Sequence, residues 1–77
     1  MIVQEKAALD AALLRAHAID DRAALVELYQ RAADLAGGSA AAFYLTHAYI
    51  FALELGAAAA PTLRARLVDM GAELPAV

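Results

Sequence analysis

Seventy-seven residues with no cysteine, six basic and nine acidic side chains and a net charge of −3 make a single domain, residues 1–77. That composition excludes disulfides and thiolate metal sites, and charge scattered without blocks leaves no electrostatic footprint for nucleic acid. The hydrophobic fraction of 64% exceeds the roughly 45–50% of ordinary domains, but alanine, which builds helices more than it fills cores, supplies much of the excess.

A chain this short buries only about 60% of the surface its unfolded form exposes, so it needs tight helix packing, self-association or both. From Ala40 to Leu53 only Thr46 and His47 interrupt an apolar run of 14 residues. A membrane span needs roughly 20, so the run reads as a buried or shared helix. The opening MIVQEK lacks the basic-then-apolar order of a secretory signal, and the expected compartment is the cytoplasm.

Four helices are expected, at about 3–18, 21–36, 39–55 and 61–70. In the first, Leu9, Leu13 and Ala16 recur at i, i+4 and i+7. Asp20-Asp21 then offer a cap and negative charge where the second helix begins. The second carries Leu25, Leu28, Tyr29, Ala32 and Ala36 on one stripe, which predicts a single buried face. Gly37-Gly38 stop it, Ser39 is positioned to cap the third, and the short connection folds the two back as an antiparallel hairpin. Gly56 closes the third helix, Pro61 suits the first turn of the fourth, and Leu63, Leu67 and Met70 give that helix its apolar side. Arg64 and Arg66, two apart, project differently and read as solvated. Gly71 ends the helix, leaving 71–77 as a frayed tail. No strand-length alternation occurs, so the fold class is all-α, a compact antiparallel bundle of four helices.

The segment FYLTHAYIFALELG, followed by a short linker and PTLRARLVDMGAE, resembles a tetratricopeptide-type helical hairpin. In that family small residues such as Ala48 and Ala52 let paired helices approach, and aromatics such as Tyr44, Tyr49 and Phe51 fill the gaps beside them. Leu45 through Glu54, with Gly56, also look like a recurrent signature of short bacterial all-helical proteins. The match covers about residues 22–73, shows no complete 34-residue repeat, and has AAAA where the usual turn chemistry would stand. The resemblance implies a helical interaction module and supplies no catalytic residue.

A helical wheel divides the third helix. Ala41, Leu45, Ala48, Ala52 and Leu55 form one broad side, flanked by Tyr44 and Tyr49, suited to close helix approach. Phe43, His47, Ile50 and Glu54, with Thr46 and Phe51 at the edges, form a mixed strip with the composition of an interface. Either the first and fourth helices cover that strip within one chain, or it meets its own copy across a two-fold axis; the need for extra burial favours the second. Phe43, His47, Ile50, Phe51 and Glu54 are therefore the candidate interface.

His47 lacks the cationic neighbours a phosphotransfer histidine needs, and His47 with Glu54, seven residues apart, stand about 10.5 Å apart along the axis, too far to share one ion. His17, at the end of the first helix, suits the helix dipole. No catalytic, cofactor or metal residues are expected, and no enzyme. The expected function is a small interaction or scaffold module, a homodimer or a binder of another protein, without nucleic-acid or membrane partners. The alternative is a small-molecule-binding protein whose pocket is lined by Tyr29, Tyr44, His47 and Tyr49.

Overall fold

Local chemistry sets where each helix ends. The computed structural model describes residues 2–72 and places helices α1 (Ile2–Ala18), α2 (Arg22–Ala36), α3 (Gly38–Leu55) and α4 (Ala59–Asp69), with no strand among the described residues. The expected bounds hold within one or two residues, and the last five residues of the expected tail lie outside the described ones. α1 closes with the Asp20 amide donating to the His17 carbonyl (3.2 Å) and the Asp21 amide to that of Ala16 (2.8 Å). This is a Schellman ending, and it puts Asp20 at φ 55°, where glycine is usual and a short polar side chain is tolerated. Asp21 then caps α2, its carboxylate accepting from the Ala24 amide at 3.1 Å. α3 ends the same way at Gly56, with Ala57 donating to Ala52 at 2.9 Å.

The α2–α3 junction departs from expectation. Gly37 alone serves both helices: its amide donates to Ala33 at 3.0 Å, and its carbonyl accepts from Ala41 at 3.2 Å. Its φ of 65° and ψ of 178° form a conformation open essentially to glycine. Because the reversal is confined to Gly37 and Gly38, the second also at a positive φ of 57°, α3 starts before Ser39, which lies inside the helix and caps nothing. α4 likewise starts before Pro61, which becomes its third residue, still in the first turn where a missing N–H costs nothing.

Each helix packs on its neighbours in the chain: α1 on α2, α2 most intimately on α3, and α3 on α4. The backbone extents are 35 × 28 × 16 Å. A helix's own Cα cylinder is about 4.6 Å wide and packed axes lie about 8–10 Å apart, so a thin dimension of 16 Å holds two helices packed face to face, and the four form a compact all-α bundle. The main core joins Val26 and Ala33 of α2 to Ala41, Leu45, Ala48, Tyr49 and Ala52 of α3 and to Ala60, Leu63 and Leu67 of α4. Small residues at Ala48 and Ala52, both fully buried, let α3 sit close to its neighbours. α1 attaches through a separate seam, burying Leu9 and Ala16 where α2 buries Leu25 and Ala32.

α2 is therefore buried on two adjacent sides instead of one, because it is flanked by α1 and α3. Three residues assigned to buried sides are exposed instead, and Ala36, at the last position of α2, is one of them. Leu55 and Met70 are the last apolar residues before the chain turns away, and no later element covers them.

Candidate functional site

Tyr29 projects from α2 between its two buried sides, toward the space between α1 and α3. Around it the fold gathers rings from three helices. His47 stacks on it with centroids 5.1 Å apart, and Phe51 (6.0 Å) and Tyr44 (6.2 Å) lie near-parallel beside it. His17 of α1 meets Tyr29 edge-on at 5.8 Å, and its Nε2 is 2.8 Å from the phenol oxygen. Burial, with Tyr44 as a lesser contributor, raises the Tyr29 phenol above its ordinary 10.0. His17 also meets Phe51 edge-on at 6.0 Å, so side chains join α1 to α3 where their backbones stay apart.

The α3 side chains place their polar atoms within their own helix. His47 Nδ1 lies 2.9 Å from the Phe43 carbonyl, and because a carbonyl only accepts, that nitrogen carries the proton. The Thr46 hydroxyl donates to the Ala42 carbonyl at 2.8 Å, which leaves its methyl as the feature it presents outward. Phe43 packs its ring against His47 at 4.6 Å yet remains 61% exposed. Ile50 is 42% exposed and Leu53 41%. From Gly38 to Leu53 no residue is Asp, Glu, Lys or Arg. From Gly38 to Leu53 the outward face of α3 is thus an apolar line without formal charge, which the exposed Glu54 ends.

The structure sorts the five strip residues into two groups. Phe43 and Ile50 stand open to solvent, so α1 and α4 do not cover the strip; His47 is half-buried between them and the Tyr29 cluster. Phe51 turns inward onto Tyr29 and His17, and Glu54, exposed, pairs with Arg22 at 3.4 Å. Leu53, absent from the sequence-derived strip, belongs to the open line.

The pocket residues also divide. Tyr29, Tyr44 and His47 come together, but as rings stacked on one another. Tyr49 is 2% exposed and sits in the core, away from them. Two cavities lie instead beside the α1–α2 seam. One, of about 470 Å³, is walled by Leu9, Leu28 and Leu35 with Glu5 and Arg31 at its rim; the other, of about 170 Å³, runs from Lys6 and Leu9 to Tyr44.

His17 is the cluster member that sequence reasoning left out. It lies twelve residues from Tyr29, and only the turn at Asp20 brings them together. Arg66, read as solvated, reaches Asp34 at 3.2 Å and ties α4 to α2, although both side chains stay largely exposed and the pair adds little stability. Among the described residues no three His, Asp or Glu side chains group as a metal site, and no helix is long and apolar enough to cross a membrane. No protein-family model, curated protein or solved structure matches this chain.

Proposed function

We propose that this chain is a small, non-catalytic helical interaction module that works in the cytoplasm and self-associates through the outward face of α3. The observation that carries the reading is the open line of Phe43, Ile50 and Leu53 on the stretch of α3 that carries no formal charge before Glu54. On a chain of net charge −3 such a face is where a second protein surface can approach without repulsion. The resemblance to tetratricopeptide-type hairpins agrees in kind, that family being built for protein contacts. The test is mass against concentration. Sedimentation equilibrium from about 10 μM to 1 mM spans the weak-to-moderate range expected of a small interface. A monomer throughout sinks the reading.

Small-molecule binding is the second reading, and the 470 Å³ cavity between α1 and α2 favours it. It moves the expected pocket from the tyrosines to Leu9, Leu28 and Leu35. A metabolite thermal-shift screen decides, because a ligand at 100 times its Kd adds about 2.7 kcal/mol. The reading fails if filling the cavity with Ala12→Phe leaves any observed shift intact.

A further inference from the structure

The side chains on the outward face of α3 follow a spacing that fixes more than the existence of an interface. Ser39, Phe43, Thr46, Ile50 and Leu53 are separated by four, three, four and three residues, the interval that keeps one seam facing a partner helix. Ser39, Phe43, Ile50 and Leu53 are exposed, and Thr46, half-buried, has its hydroxyl satisfied within the helix. We infer that the partner is a second copy of this chain, whose α3 lies antiparallel to the first about a two-fold axis on the outward side of the helix, level with Ala48. The inference rests on the self-association reading above and adds its geometry.

The antiparallel arrangement follows from side-chain size. With the axis level with Ala48, Phe43 of one copy opposes Leu53 of the other and Thr46 opposes Ile50, so the small Thr46 receives a larger residue, while Ser39 lies past the end of the opposing helix. A parallel pair sets Thr46 against Thr46 and Phe43 against Phe43, leaving a gap beside a crowded contact. Charge points the same way. Gly38–Leu53 carries no acid or base, and Glu54, paired with Arg22, ends beside the uncharged start of the opposing helix. In a parallel pair the two Glu54–Arg22 ends lie at the same end of the seam. The seam runs 15 residues, about 21 Å along the axis. An interface at the weak end of stable association takes about 500 Å² per copy, roughly a tenth of this protein's 5032 Å² surface. Four turns of one helix face with its flanking residues match that scale, and they make a dimer that exchanges readily. His47, on one flank of the seam, lies next to the axis, so the two copies of this ring face each other there.

Because the chain has no cysteine, single thiols report the register cleanly. Thr46→Cys and Ile50→Cys proteins are mixed and oxidised gently. The expected product is the mixed 46–50 disulfide, in several-fold excess over either homodisulfide, since only opposed positions come within bridging distance. Homodisulfides at both positions overturn the antiparallel geometry and leave self-association standing. A parent protein that stays monomeric to 1 mM, with no cross-link, removes both inferences. A second variant gives an independent reading. His47→Lys puts two like charges beside the axis and is expected to weaken the dimer at least tenfold without changing the helical content of the monomer. A dimer undisturbed by His47→Lys overturns the geometry, while Phe43→Glu still weakens it.

Discussion

The two long faces of α3 share one helix and one bias toward apolar residues, yet they do opposite things. The inner face alternates small and large: Ala41, Leu45, Ala48 and Ala52 stand with Tyr49, and all are buried. Close approach to α2 and α4 depends on those alanines. The outer face presents Phe43, Ile50 and Leu53 to solvent with serine, threonine and histidine between or beside them and Glu54 at its end. Apolar content therefore does not separate core from interface in this helix. Side-chain size and the order of large and small residues do.

Substitutions that trade one face against the other test that distinction. Leu45→Ala on the inner face removes a fully buried side chain and should lower unfolding free energy by about 3 kcal/mol in urea titration. Ala48→Leu tests the opposite fault: a larger side chain where α3 meets its neighbours should cost about 2 kcal/mol. Tyr29→Phe, at the border of the faces, removes the phenol paired with His17 and should cost about 1 kcal/mol near neutral pH. Its pH dependence is more telling. A phenol held protonated more tightly in the folded chain than in the unfolded one gives its full stabilisation below pH 10.0 and loses it as pH rises through the raised value. Urea midpoints across pH 8 to 11 should therefore fall less steeply in Tyr29→Phe than in the parent. Phe43→Ser and Ile50→Ser come last, changing monomer stability by less than about 0.5 kcal/mol at dilute concentration. A large loss from either would mean that the outer face belongs to the core.

Helix number, order and bounds were legible because the punctuation is local. Asp21 caps through its own side chain, and Gly56 takes a left-handed conformation that its own residue type allows. The second buried side of α2 was not legible. Val26 and Ala33 are as apolar as Leu25 and Ala32, and a helical wheel does not tell how many neighbours a helix will have. Tyr44 and Tyr49 illustrate the same limit within one helix. Five residues apart, they point about 140° from each other, so they sit on opposite flanks and enter different environments. Residue type marked both as aromatic lining; only packing separates Tyr44 beside Tyr29 from Tyr49 in the core. The place of His17 depends on how α1 settles against α2, which no short window of sequence contains.

Close backbone approach only between helices adjacent in the chain also bears on how the molecule reaches its fold. Every helix pair is joined by a turn of a few residues, and the most intimate pair, α2 and α3, by the single residue Gly37. Contacts of such short sequence separation cost little chain entropy to form, so folding should be complete within about a millisecond, as in other proteins of low contact order. The same connectivity grades the reverse process. α1 approaches closely only the α2 backbone, touches α3 through the His17–Phe51 ring contact, and has two well-buried side chains among its described residues, so it can peel away while the hairpin and α4 remain together. Native-state hydrogen exchange should find its amides opening first, and those around Leu45 and Ala48 opening only with the whole molecule.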